Sequence, residues 1–167
     1  PLSAAEVGCD LETRLEAMGE QKRCKPLREL SLQLKRQLAR LEIDPDAEST
    51  GIDSAQLILT AFPSWLALQR PGQTGRYLLR QGRGAILRPA DPLAGSEALA
   101  VARLDMGQRD TRIQLAVPLS RQRVEQLALE QGEWLDQVTW DDKSERIRAE
   151  RQLKLGALVL RQEAQPA

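Results

Sequence analysis

Leucines recur at Leu27, Leu30, Leu34, Leu38 and Leu41, in steps of three or four, with mostly polar residues between them. That spacing predicts an amphipathic helix from Pro26 to about Leu41, with the proline in its first turn. A shorter helix is expected over 10–18, capped by Asp10, with Leu11 and Leu15 on one face and Gly19 at its end. Asp44-Pro45-Asp46 and Ser49-Thr50-Gly51 have the chemistry of a loop. Asp53 then opens a helix, DSAQLILTAF, whose Leu57, Ile58 and Ala61 are expected to face inward. Pro63 breaks it, Ser64 caps a further turn, WLALQR, and the helical period ends near Arg70-Pro71-Gly72.

From there the period changes from 3.6 to 2. Residues 76–80 and 85–87 read as short strands around Gln81-Gly82-Arg83-Gly84. The stretches 97–105 and 110–117 form a hairpin, in which Ile113, Leu115 and Val117 alternate with Arg112, Gln114 and Ala116. Ser120 caps a helix, RQRVEQLALEQ, with Val124, Leu127 and Leu129 expected inward and Gly132 as its stop. A second hairpin runs from Trp134 to Trp140 and back from Glu145 to Leu155, with Ile147, Ala149, Arg151, Leu153 and Leu155 on one face. Residues 157–160 make a last apolar strand.

A helix set between strands of a small antiparallel meander is the arrangement of an OB-fold. The expected class is therefore α+β: an N-terminal helical segment over 1–71, a partial helix bundle, followed by an antiparallel OB-like β-barrel with one inserted helix over 72–162, and a tail over 163–167. Keeping to five strands requires merging 76–80 and 84–88 into one bent strand, or treating one of them as an extra edge.

Composition narrows the chemistry. With 41% apolar and 29% charged residues in 167, the chain is globular and fits one domain, or one with a partial neighbour. Aromatics are only 3%, so the core is aliphatic. The absence of histidine removes His-based triads, His-ligated zinc and a His general base. Cys9 and Cys24 form neither a disulfide framework nor a CxxC pair, which favours reduced thiols and a cytoplasmic setting. No window is apolar enough to span a membrane, no signal peptide is visible, and a start at proline without Met suggests an excised fragment. No GxxxxGK[ST] loop is present, so no ATP site is expected here. Asp141-Asp142 read as a solvated hairpin tip. No catalytic residue, metal ligand or cofactor is expected in this chain.

Charge distribution supplies the candidate site. The totals cancel, 24 basic against 24 acidic residues, but Ser54 to Ala90 contains no acid and five arginines. Arg76, Arg80, Arg83 and Arg88 surround glycines that allow close backbone approach, and guanidinium forks suit phosphate. Tyr77, between two arginines, is the expected base stacker. Arg28, Lys35 and Arg36 on the leucine-striped helix form a secondary basic face. These residues predict backbone binding of a single-stranded nucleic acid, RNA ahead of DNA. The bland alternative is ordinary barrel-exterior charge, which leaves a structural or protein-docking module.

GRYLLRQGRGAILRPADPLAGSEALAVARLD, followed by RIQLAVPLS, EWLDQVTWD and RQLKLGALVL, resembles the C-terminal accessory region of HrpB-type DEAH-box ATP-dependent helicases of bacteria. The preceding ILTAFPSWLALQR is similar to that family's helix-bundle end, and the likeness covers about 8–162. The resemblance implies two RecA-like motor domains upstream, which would hold ATP and Mg and hydrolyse NTP. None of their motif residues lies in this chain. It also implies a barrel flanking a nucleic-acid channel, with the motor domains of the same parent chain as its partners.

Overall fold

The computed structural model describes residues 8–20, 25–41, 53–107, 111–142 and 145–165. Cys24, the loop at 44–51 and the first hairpin's tip at 108–110 lie outside them. Three helices come first: α1 Leu11–Glu20, α2 Lys25–Arg40 and α3 Ser54–Ala61. Asp10 caps α1 through Glu12 N and Thr13 Oγ1, and Asp53 caps α3 through Gln56 N at 2.6 Å. Helix α1 continues through Gly19, beyond its expected stop. In α3 the inward face is Ala55 and Ile58; Leu57 and Ala61 are exposed, so the stripe is rotated from expectation.

Strands β1 Leu66–Gln69, β2 Arg76–Leu79, β3 Gly84–Ile86, β4 Ala98–Met106 and β5 Thr111–Leu119 close a barrel in the order β1-β2-β3-β5-β4. All pairings are antiparallel except β3 with β5, which is parallel. The fold is thus α+β with an OB-like barrel after a helical part. Its strand accounting differs from expectation: the barrel closes within residues 66–119, so the helix expected between its strands comes after it and the second expected hairpin lies outside it, because the run 66–69 supplies the closing strand instead. LALQ is strand β1, not a helical turn, and β2 and β3 are separate strands of a hairpin, with Arg76 opposite Ile86. Between the third and fourth barrel strands lies a short 3-10 turn, Pro92–Gly95.

Helix α4, Arg121–Gln131, follows the barrel, with Ser120 accepting from Arg123 N and Gly132 closing it. Val124 and Ala128 are its buried residues, whereas Leu129 is exposed. The last three strands, β6 Glu133–Asp141, β7 Arg146–Leu155 and β8 Leu158–Gln165, form a separate sheet in that order. Strand β8 runs well past Leu160. Only the proximal end of this sheet is buried: Leu153, Leu155 and Leu158 are covered, while Val138, Trp140 and Ile147 are exposed.

Two cores explain the arrangement. Ala67, Tyr77, Leu79, Leu99, Val101 and Ile113 fill the barrel. Leu66, Ala98, Ala100, Val117, Leu155 and Leu158 form a second layer on its outside, with α3 and α4 packed there too. Strands β1 and β4 are apolar on both faces because each is sandwiched between these cores.

The turn between β7 and β8 is pinned to the barrel. Ala157 N donates to the Arg80 carbonyl at 2.9 Å, and Gly156 has φ +61. A Cβ on Gly156 would stand 2.5 Å from that carbonyl oxygen, so only glycine fits.

Candidate nucleic-acid interface

OB barrels bind chains on the face of strands 2 and 3 and on the loop joining strands 1 and 2. Here that loop is Arg70–Gly75, turned by Gly72 and Gly75 at φ +68 and +73. Alternation along β2 and β3 sends Tyr77 and Ala85 inward and Arg76 and Ile86 outward. Arg70, Arg76 and Arg83 line one depression of about 320 Å³ there, together with Gln73, Gly84, Ile86 and Thr111, and the buried Tyr77 and Ala85 lie at its floor. All three arginines are exposed, and no acid lines it. The Arg70 guanidinium lies over Gly84, where a Cβ would be 3.6 Å from it.

Register extends the face. Arg76 is opposite Ile86, Ile86 opposite Arg112 on β5, and Arg112 opposite Asp105 on β4. The outward row is therefore Arg76, Ile86, Arg112, closed by one carboxylate. Arg88 and Arg112 line a neighbouring hollow of about 240 Å³ that shares Ile86 with the first. Arg70 and Arg112 were not among the sequence candidates. Arg70 belongs to a binding loop only once 66–69 is a strand, and Arg112 was already marked by its alternation with Ile113.

Arg80 stands apart from this group. It is half-buried, donates from Nη1 to Gln131 Oε1 at 3.0 Å, and lines a different crevice with Arg123 and Glu130. Arg28, Lys35 and Arg36 are all exposed on α2; the first two, seven residues apart, share a side, and Arg36 lies a quarter-turn away.

Tyr77 is corrected. Its ring is 0% exposed inside the barrel, and its hydroxyl lies 2.9 Å from both the Leu93 and Ser96 carbonyls. Burial pushes its phenol up to about 12. A ring so enclosed has no face to offer a base. Gln69 Nε2 donates to Ala94 O at 2.7 Å, and Asp91 accepts from Leu93 N and from Cys9 N. The DPLAG segment is thus a hub that ties the loop after β3 to β2, β1 and the N-terminal segment. Cys9 is a free, buried thiol, raised to about 12 by burial first and by Asp91 next. Beneath the arginines, Thr111 is buried and its Oγ1 has no hydrogen-bond partner among the described residues.

Trp134 lies under the Arg151 guanidinium, 5.1 Å from ring centroid to Cζ, and Phe62 stacks on Trp65 at 4.7 Å. None of these aromatics lines the arginine depression. The face has charge and hydrogen-bond donors but no stacking platform. No helix of the described residues is long and apolar enough to cross a membrane.

Residues 131–165, the β6–β8 sheet, match the profile of the connector region of the ATP-dependent RNA helicase HrpB. A curated relative, the ATP-dependent RNA helicase HrpB of Escherichia coli strain K12, is 35% identical over 118 residues, which are 70% of this chain and 14% of that protein. Two solved E. coli structures, one described as a DExH-box NTPase and one as a DEAH/RHA helicase, superpose with TM-scores of 0.66 and 0.62 at 31% and 29% identity. Each covers 80% of this chain, which corresponds to 16% and 17% of theirs. The chain thus spans about one seventh of the curated relative it matches, and it is similar in sequence and fold to the C-terminal region of HrpB-type helicases.

Proposed function

We propose that this chain is a non-catalytic accessory module of an ATP-dependent RNA helicase, holding single-stranded RNA by its phosphates beside motor domains that bind ATP and Mg. The observation that carries this reading is the acid-free depression ringed by Arg70, Arg76 and Arg83 on the barrel face that OB-folds use. Arg112 and Arg88 extend the track across β5 and the loop after β3. Without an exposed aromatic in the depression, contact is to the backbone and discrimination between bases is small. Three phosphates neutralised give a slope of log K against log salt of about −2 for a single strand.

Fluorescence anisotropy with a labelled 12-nucleotide single-stranded RNA tests the reading. Arg76→Glu with Arg83→Glu weakens binding at least tenfold at low salt and flattens the slope, while Arg80→Glu, whose side chain points elsewhere, changes it less than twofold. Equal loss in both variants, or no binding at low salt, overturns the reading. The second reading is a module that braces the motor without touching RNA. It is favoured by the apolar cluster of Val138, Trp140 and Ile147 left exposed at the far end of the β6–β7 hairpin.

A further inference from the structure

Thr111 is only 3% exposed, yet its Oγ1 has no hydrogen-bond partner among the described residues. Buried polar groups in that state are few in folded proteins, and an ion held at the group is one of their standard explanations. The register shows where this one stands. Thr111 on β5 is opposite Ala85 on β3, and Ala85 is opposite Tyr77 on β2, which is the inward row. The next row, Arg112, Ile86 and Arg76, faces out. The arginine depression is lined from both rows. It descends from a rim of Arg70, Arg76 and Arg83 to a floor of Tyr77, Ala85 and Thr111. Beneath that floor lies the packed core of the barrel, so the hollow is blind.

A lone water there needs about two to four polar partners. The other side chains of the floor supply none: Ala85 is apolar, and the Tyr77 hydroxyl is taken up by the Leu93 and Ser96 carbonyls. An acceptor held from the rim fits better. A carboxylate has two oxygens in one plane, which a single guanidinium fork satisfies. A phosphodiester inside a strand carries chain on both sides and rests on the rim. A phosphate monoester has one attachment, three terminal oxygens and a charge of about −1.5 to −2. It can enter end-on, engage guanidiniums at the rim and still offer an oxygen to the floor.

We propose that the depression is an end-on site for a phosphate monoester, with Thr111 Oγ1 donating to its deepest oxygen and Arg70 and Arg76 neutralising it at the rim. The proposal rests on the phosphate-binding reading of this face and adds which phosphate enters. A strand end and free phosphate share this chemistry, and the test separates them.

The probes are one 12-nucleotide RNA carrying a 5′-phosphate, a 3′-phosphate or neither, and inorganic phosphate, each titrated against the full chain at low salt. A phosphorylated strand binds about tenfold more tightly than the strand with neither. Thr111→Val brings the phosphorylated strands down to the level of the unphosphorylated one and melts no lower than the parent, so the loss is not loss of fold. Thr111→Ser, which keeps the hydroxyl, keeps the preference. If inorganic phosphate binds the parent and Thr111→Ser but not Thr111→Val, and no RNA binds, the site stands with free phosphate as its source and the RNA reading falls. If RNA binds alike whatever its ends, and alike to the parent and Thr111→Val, the proposal is overturned and the RNA reading stands. It is overturned also if Thr111→Ser behaves as Thr111→Val, which assigns the effect to packing, or if neither RNA nor phosphate binds.

Discussion

Gly156→Ala tests how the β6–β8 sheet is fastened to the barrel. Gly156 sits at φ +61, and its place is set against the Arg80 carbonyl. An alanine there meets two separate costs. The left-handed backbone costs about 1–2 kcal/mol for a residue with a Cβ. The new methyl would lie 2.5 Å from Arg80 O and 2.9 Å from Arg80 Cγ, so the turn must retreat. Retreat lengthens the 2.9 Å bond from Ala157 N to Arg80 O, worth about 1 kcal/mol, and loosens Leu155 and Leu158, each 1% exposed, from the outer core. The sum is about 3 kcal/mol, a large share of the stability of an ordinary domain. Gly72→Ala is the control: it has φ +68 but nothing within 4 Å of an added Cβ, so it carries the backbone cost alone. Urea unfolding followed by tryptophan emission, with amide exchange at Ala157, reads both variants. Gly156→Ala loses about 1–2 kcal/mol more than Gly72→Ala, and the Ala157 amide exchanges faster. Equal losses in the two variants, or an Ala157 amide that keeps its protection, refute the close-approach argument.

Further outcomes follow from the same geometry. Thr111→Val replaces a buried hydroxyl that has no partner among the described residues with a methyl of similar size and raises stability by about 1 kcal/mol in chemical unfolding. Cys9 and Tyr77 are both raised from their usual 9.0 and 10.0 to about 12, so each holds its proton more tightly when folded. Their stabilising effect is complete below pH 9 and is lost as pH rises toward 12, which a series of thermal melts at alkaline pH shows as a falling Tm. By the same burial, Cys9 in a Cys24→Ser background resists iodoacetamide at pH 8 until the protein unfolds. Asp91→Ala strips acceptors from both Cys9 N and Leu93 N and costs about 2–3 kcal/mol in urea, with early exchange at those two amides.

The parts of the fold that could be read in advance are those whose burial is one-sided. Strands β4 and β5 are a hairpin in which Ile113 and Arg112 face opposite ways, and Ser120 caps α4 by a local bond that any context would allow. Strand β1 escaped because Leu66 and Ala67 are both buried, one in each core, so the run has no polar face to set its period. It therefore reads as helix. The rotated faces of α3 and α4 have the same origin: Leu57 and Leu129 fit a helical stripe, but the barrel selects Ala55, Ile58, Val124 and Ala128.

The arginine site divides along the same line. Residue types and spacing were enough to mark an acid-free basic stretch and to exclude histidine and Walker chemistry, since those depend only on which side chains exist. Which arginines meet was decided by closure of the barrel. Pairing β1 with β2 brings Arg70 to Arg76 and Arg83, and the parallel β3–β5 seam brings in Arg112. Docking of the last sheet turns Arg80 away, and Tyr77 passes from the surface into the core. Local propensity and charge are properties of neighbours along the chain. Facing, burial and the company a side chain keeps are set by long-range pairing, which those neighbours do not encode.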